Sequence, residues 1–369
     1  MKVIHLTSVH QCQDARILHK ECASLAKAGY EVSLAVKADS EEIIHGVKIL
    51  PIKEERSRIK RFIYSARSVY RAAMNGNADV CHFHDPELIP VVVLLRLRGK
   101  KVIYDVHEDL PRQILSKPWI SPWLRYPTAL LASATEWFAS RVFLSAVVAA
   151  TPTIAKRFPA HKTMVVQNFP ILTELEPPIF SSYYERPEHV VYVGGISKYR
   201  GVVENVIAFE HVQNQKCRFV LAGSFEDAQL EEKCRRLRGW KKVEFKGWLS
   251  RSGVSSELAQ ARAGLVVLHP LVNYLDSYPI KLFEYMSAGI PVIASDFPLW
   301  RKIVEEADCG LLVDPLNAEE TAKAIDWLLE NPERAEQMGT NGRQAVINHY
   351  NWQNEEKKLL ELYRGLTQQ

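Results

Sequence analysis

Several common signatures are missing from this chain. Its six cysteines, at positions 12, 22, 81, 217, 234 and 309, are scattered with no Cys-x-x-Cys spacing. That suits reduced thiols in a cytoplasmic protein. No stretch offers about 20 uninterrupted apolar residues, the length a membrane-spanning helix needs. The nearest candidate, Leu130 to Ala150, is broken by Glu136 and Arg141 and reads as a core or interfacial helix. The opening MKVIHLTSVH runs straight into a strand pattern without the features of a signal peptide. There is no Asp-x-Asp tripeptide, no GxxxxGK[ST] loop, no proper GxGxxG, no low-complexity tract and no fine-grained repeat. No aromatic-basic RNA motif or DNA-binding module is present, so nucleic acid is not an expected partner.

What is present describes an α/β protein of two domains. At 369 residues, 47% hydrophobic and 24% charged, the chain can bury two ordinary cores. Charge is unevenly spread. Up to Pro170 there are 24 Lys+Arg against 15 Asp+Glu, leaving 23 against 28 for the remainder. A basic first half facing an acidic second half suggests an anionic partner such as membrane lipid or a phosphorylated substrate. Short apolar runs alternate with helical patterns through residue 170, beginning at Lys2–Leu6 and ending at Val165–Gln167. A linker follows at 170–188, where prolines at 170, 177, 178 and 187 disfavour regular structure. The alternation then restarts with strands expected at Val190–Val193, Phe219–Ala222, Val243–Phe245, Leu265–Leu268, Val292–Ala294 and Leu311–Val313. Two successive doubly wound, Rossmann-like domains, 1–170 and 171–351, are the natural reading, with an amphipathic tail from Trp352.

Four clusters could carry chemistry. In DSYPIKLFEYMSAGIPVIAS (276–295), Pro279 suits a first helical turn, while Gly289 and Pro291 stop the helix before the next strand. Asp276 then lies on a loop beyond a strand's carboxyl end, where open α/β sheets bind ligands, and Glu284 lies on the following helix. Glu284 could equally cap or solvate that helix. The second cluster, GGISKYRG (194–201), follows a strand; its glycines allow close approach, and Lys198 and Arg200 could neutralise a diphosphate. A solvated turn is the alternative. The third and fourth are HFHDPE (82–87) and YDVHED (104–109), both at strand ends. His82, His84 and Asp85 invite a metal-site reading, but satisfied core or cleft histidines fit the one-face alternation better. A basic helix at 56–71 reads either as a membrane-facing surface or as arginines solvated or paired with Glu54 and Glu55.

Together these clusters resemble the GT-B glycosyltransferases, specifically the retaining family 4 that uses nucleotide-sugar donors. KLFEYMSAGIPVIASDFP (281–298) is similar to the second half of that family's Glu-x7-Glu signature. GGISKYRGV, VVQNFP and MGTNGRQAVINHYNW also look like the family pattern, and YDVHEDLP and HFHDPE resemble segments of members acting on surface-polysaccharide precursors. The resemblance implies two Rossmann-like domains facing a central cleft, with the C-terminal helix, about 352–369, packing back on the first domain. By similarity, Glu284 would bind the donor's ribose, and Asp276 would lie near the sugar hydroxyls. The amides around Ser277 and Tyr278 would contact sugar and phosphate, with Gly195, Ser197, Lys198 and Arg200 lining the diphosphate. The base would sit near Gly247 and Trp248. His107 would line the cleft beside sugar and acceptor, with His84, Asp85 and Glu108 on the acceptor side.

Three positions depart from the pattern. Asp276 stands where the family has Glu, Gly195 replaces the first cation of the usual Arg/Lys pair, and SVHQCQD (8–14) replaces a glycine-rich loop. The resemblance implies a retaining hexosyltransferase that needs no metal or other cofactor. It would use a UDP- or GDP-linked donor and a glycan or lipid-linked acceptor at the inner membrane face. A nucleotide-sugar epimerase of the same fold and a metal-dependent hydrolase built on His82, His84 and Asp85 are the competing enzyme readings.

Overall fold

A computed structural model describes residues 1–52, 58–117, 119–174 and 183–367, with backbone alone for 58–65 and 367. Linker prolines 177 and 178, the Glu54–Arg56 stretch and the side chains of Arg58, Lys60 and Arg61 lie outside the described residues. The chain divides into two compact units, one of residues 1–168 with the C-terminal segment from Trp352, the other Phe169–Asn351.

The first unit contains β1 (Lys2–Gln11), β2 (Glu31–Lys37), β3 (Glu42–Ile44), β4 (Val47–Ile52), β5 (Val80–Phe83), β6 (Lys101–Val106), β7 (Ala146–Ala149) and β8 (Thr163–Val165). They form one sheet in the order β3-β4-β2-β1-β5-β6-β7-β8, parallel except for the β3–β4 hairpin. Runs such as Ala146–Ala149 are buried throughout, as expected of strands covered by helices on both faces. β3 was not anticipated, because three residues are too few to show a period. Its hairpin is made by His45 and Gly46, both at positive φ (50° and 78°), the twist-matching two-residue turn. The helical segment after β1 begins as a wider π-helical turn, Ile17–Cys22, before Ala23–Lys27 continues it.

The second unit contains β9 (His189–Val193), β10 (Arg218–Ala222), β11 (Val243–Gly247), β12 (Ala263–Val266), β13 (Val292–Ser295) and β14 (Gly310–Val313). Its all-parallel order, β11-β10-β9-β12-β13-β14, is the 3-2-1-4-5-6 arrangement of a Rossmann-like sheet. One strand is displaced from expectation. β12 ends at Val266, not Leu268, because Ser295 takes over the hydrogen bonding of Leu268. The Ser295 hydroxyl accepts from the Leu268 amide (2.7 Å) and donates to its carbonyl (2.8 Å). Val267 and Leu268 therefore remain buried without extending the ladder.

In each sheet the strand order reverses at one place, between β1 and β5 in the first unit and between β9 and β12 in the second. The crevice beyond the carboxyl ends at such a point is where ligands bind in open α/β sheets.

Candidate active site

In the second unit the reversal brings the loop after β9 beside the segment after β12. The Ile280–Ser287 helix starts at Pro279, which is its N-cap and not its first helical residue. It ends in a Schellman arrangement: Gly289 (φ 67°) donates to the Met286 carbonyl at 3.1 Å, and Ile290 donates to that of Tyr285 at 3.2 Å. Leu282, Phe283, Tyr285 and Met286 are fully buried, which fixes the helix's rotation. Glu284 is nearly buried as well, and its Oε1 accepts from Arg251 at 2.7 Å. Arg251, in the first turn of the Arg251–Gln260 helix, also reaches Glu174 Oε2 at 2.7 Å. Glu284 is thus a held, inward carboxylate and not a solvated one.

Two cations meet at the loop after β9, one from the loop and one from the Ile280–Ser287 helix. Arg200 donates to the Gly195 carbonyl at 3.0 Å, and a Cβ built on Gly195 would lie 2.7 Å from the Arg200 guanidinium. Any side chain at 195 would have to displace Arg200. The second cation is Lys281, which the sequence reading treated only as part of the helix motif. Its Nζ donates to the Tyr192 hydroxyl at 2.8 Å and lies 4.2 Å from that ring's centre. Tyr192 in turn donates to the Gly195 carbonyl at 2.8 Å. Gly194 (φ 120°) leaves the space that Lys281 fills, since a Cβ there would meet Lys281 Cε at 2.7 Å. Burial first, then the Arg200 charge, bring the Lys281 amine down to about 7, with Glu284 opposing. Among the described residues no carboxylate lies within ion-pair distance of Arg200 or Lys281. The signal for Lys281 was its i−3 spacing from Glu284 on one helix.

The other expected donor residues are placed as follows. Lys198 is exposed, with its amide bonded to Glu226 Oε1 at 2.8 Å and its Nζ 5.8 Å from the Tyr199 ring. Ser197 is the N-cap of the Lys198–Arg200 turn but makes no side-chain cap. Asp276 is half-buried and caps the short Val272–Leu275 helix, an element not foreseen. The Ser277 amide donates to Tyr274 (3.1 Å) and its carbonyl accepts from Trp300 Nε1 (2.8 Å), so this amide is engaged within the turn. Tyr278 stacks beside Phe283, with centroids 6.2 Å apart. Gly247 ends β11 at φ 64°, and the following Trp248 is 77% exposed. The Val202–His211 and Ile280–Ser287 helices both start beside this loop without a side-chain cap. Their first amides therefore have no side-chain acceptor at the N-cap.

In the first unit the reversal gathers a buried histidine row. Tyr363, from the C-terminal Trp352–Thr367 helix, meets His82 Nδ1 at 2.9 Å. His5 Nδ1 meets His84 Nε2 at 3.0 Å, and His84 Nδ1 lies 3.1 Å from both Asp105 Oδ2 and His107 Nε2. Asp105 also receives both prongs of Arg16, at 3.0 and 2.8 Å. Burial alone would raise the Asp105 carboxyl, but the Arg16 charge, with hydrogen bonds from His84 and Arg16, holds it well below the usual range. Burial, reinforced by Asp105, pushes Glu21 well up, with the Arg16 guanidinium 3.0 Å away opposing. Burial also takes His107 down to about 3, so it is a neutral imidazole. Asp85 binds the β1 turn instead: its Oδ2 accepts from the Thr7 hydroxyl (2.8 Å) and the Ser8 amide (2.6 Å). SVHQCQD thus closes its turn through Asp85 where glycines were expected. Glu108 is raised by burial.

His82, His84 and Asp85 do not form one ligand set. Among the described residues, the groups close enough to share an ion are His5, Glu21 and His82, and His84, Asp105 and His107. A cation at the second would sit against Arg16, which already occupies Asp105. The first shares the same guanidinium, since Arg16 Nε lies 3.0 Å from Glu21 Oε1, and includes a His82 whose Nε2 has no hydrogen-bond partner. These are poor divalent-cation sites as they stand.

Comparison with known proteins gives these arrangements a family. Residues 15–169 match the family model "Glycosyltransferase Family 4", and residues 180–345 match "Glycosyl transferases group 1". The phosphatidyl-myo-inositol mannosyltransferase of Mycobacterium leprae is 24% identical over 93% of this chain and 87% of its own length. The alpha-D-kanosaminyltransferase of Streptomyces kanamyceticus is 29% identical, but the match spans 48% of this chain and only 45% of that protein. Among solved structures, sucrose-phosphate synthase from Thermosynechococcus elongatus superposes with a TM-score of 0.77 at 19% identity, covering 99% of both chains. Anabaena HepE in complex with UDP-glucose gives 0.74 at 16% identity, covering 99% of this chain and 100% of that one. With both units matched by glycosyltransferase family models and the whole chain sharing their two-sheet fold, this chain belongs to the family 4 type of GT-B glycosyltransferases.

Proposed function

We propose that the protein transfers a hexosyl group from a UDP- or GDP-linked donor to a glycan or lipid-linked acceptor, with retention and without a metal ion. The observation that carries this reading is the pair Arg200 and Lys281. Two cations converge on a glycine loop with no carboxylate paired to either among the described residues. Two like charges gathered at one half-buried loop repel each other, and an anion bound between them relieves that repulsion. A nucleoside diphosphate fits that demand, and the two uncapped helix starts add amide donors to the same place. HepE with bound UDP-glucose supports a nucleotide-sugar donor. The mannosyltransferase that resembles the full chain supports a lipid-linked acceptor.

In the proposed reaction the bond from the sugar's anomeric carbon to the β-phosphate oxygen breaks as the acceptor oxygen bonds on the same face. The acceptor's proton passes to the departing phosphate oxygen. Negative charge grows on the diphosphate during this step, and Arg200, Lys281 and the helix amides stabilise it where a metal would otherwise be needed. Glu284, oriented by Arg251, anchors ribose hydroxyls and is neither acid nor base. The carboxylate-separation rule of glycosidases therefore does not apply to Asp276 and Glu284. His107, neutral at physiological pH, acts by hydrogen bonding to sugar or acceptor.

The experiment is a screen of labelled nucleotide sugars against lipid-linked acceptors, with and without chelator. Transfer should persist in chelator and vanish in Glu284→Ala, whose fold should survive because Arg251 keeps Glu174 as a partner. Donor conversion with no acceptor present would indicate an epimerase instead, and wild-type turnover by Glu284→Ala would sink the assignment.

A further inference from the structure

The Pro122–Val142 helix is oriented contrary to the usual rule for surface helices, which bury the apolar stripe and expose the polar one. Its inward face is made of small residues, Ala129, Ala139 and Ser140, and a carboxylate, Glu136. Glu136 accepts from the Tyr104 hydroxyl at 2.9 Å and from Arg157. The bulky apolar residues face outward instead. Trp123 and Tyr126 are each 76% exposed, Leu130 72% and Trp137 53%. Their spacing, 123, 126, 130, 137, follows the helical period, so they form a single stripe, and Leu131 and Phe138 widen it. Scattered exposed apolar residues need no explanation, but a contiguous stripe from Trp123 to Phe138 along one helix does.

We infer that this face docks on an anionic lipid bilayer, lying in the headgroup region parallel to the surface. Charge decides the occupant. The helix's sole acidic residue, Glu136, is turned inward, while Arg141 stands at one end with its guanidinium 4.2 Å over the Trp137 ring. Just before the helix, Lys117 lies 5.4 Å from the Trp119 ring, itself 68% exposed. Cations beside tryptophans at the ends of an apolar stripe match the layering of acyl chains, aromatic belt and phosphates. A second copy of the same face would oppose cation to cation with no acid to answer. No helix among the described residues is long and apolar enough to cross a membrane, so the stripe lies on the bilayer and does not span it. This surface is separate from the basic helix expected to serve that role. It does not depend on the transferase reading, since it makes no use of donor or acceptor.

The test is sedimentation of the full chain with phosphatidylcholine–phosphatidylglycerol vesicles and with phosphatidylcholine alone, without nucleotide sugar. The protein should bind the anionic vesicles and release with salt. The double variant Trp123→Ser with Trp137→Ser should lose about tenfold or more in partition coefficient, with unchanged far-ultraviolet dichroism. Leu130→Gln with Leu131→Gln provides a second variant should the first misfold. Reversing Arg67 and Arg71, exposed on the Arg58–Asn75 helix, should leave most of the binding. The proposal is overturned if the wild-type chain ignores anionic vesicles or if the stripe variants bind as well as it does. It is equally overturned if only the Arg67/Arg71 reversal matters, or if the stripe drives a concentration-dependent dimer without vesicle binding.

Discussion

Two side chains, Arg200 and Lys281, set the electrostatics of the proposed donor site. Gly195 stands where an arginine would fit the family pattern, and the space is taken by Arg200 from five residues later. The second cation comes from a different element, as Lys281. Arg200→Ala should weaken nucleotide diphosphate binding by about 1.5–3 kcal/mol, the range of a charge-assisted hydrogen bond, measured by calorimetry. Unchanged affinity would move the clamp elsewhere. Lys281 adds a pH dependence. Its amine is brought down to about 7 in the free protein, and a bound diphosphate would raise it again. Well below pH 7 the amine is already protonated and affinity is flat. Above pH 7 each binding event must take up a proton, so the association constant should fall by about tenfold per pH unit until the bound-state value is reached. A nucleotide sugar is the right probe, because a free terminal phosphate titrates near 6 and would blur the effect. Lys281→Arg should flatten the profile, and a profile unchanged in that variant would remove Lys281 from the site.

Elements were legible in the sequence wherever period, stop signal and burial agreed. The 276–295 stretch shows this: Gly289 gave the stop, Val292–Ala294 the next strand, and the apolar Leu282, Phe283 and Met286 between them are buried. Where a side chain substituted for a ladder bond, as Ser295 does at Leu268, the strand end was missed, because one hydroxyl leaves no periodic trace. Lys281 went unread for a related reason. A lysine on a helix is ordinarily solvated, and only the folded loop at Gly194 shows that this one turns inward. The same loop makes a prediction about an element boundary. Gly201 sits at φ 70° as N-cap of the Val202–His211 helix, and a Cβ there would lie 2.2 Å from the Val267 carbonyl oxygen. Gly201→Ala should destabilise the second unit by about 1–3 kcal/mol, from left-handed strain and the clash together, read as a lower urea midpoint. A neutral result would mean that β12's end yields freely.

At the scale of the whole molecule, the residues far apart in sequence are the ones that define the first unit. The C-terminal helix belongs to it: Trp352 Nε1 donates to Ser24 Oγ at 2.9 Å, and the Gln167 amide donates to Glu355 Oε2 at 2.9 Å. Tyr363 and Leu359 are fully buried there. The amphipathic tail was visible in sequence, but its polar partners were not, since pairings across hundreds of residues leave no local pattern. Tyr363 closes the histidine row, where its hydroxyl is the partner of His82 Nδ1 and lies 3.4 Å from His5 Nε2. Burial holds His5 and His82 well below the ordinary imidazole range, so both are neutral. Tyr363→Phe keeps the ring's packing and removes only the hydroxyl, leaving a buried ring nitrogen unpaired beside His82 Nε2, which already lacks a partner. That should cost about 1–3 kcal/mol and lower the first unit's melting transition while the second unit's is unchanged. In wild type and variant alike the first unit's transition should fall as pH falls. Histidines with depressed folded-state values bind protons only on unfolding, so acid destabilises this unit further. Two-transition calorimetry at neutral and acidic pH separates the effects. A shift shared equally by both transitions would show that Tyr363 does not act through the first unit alone.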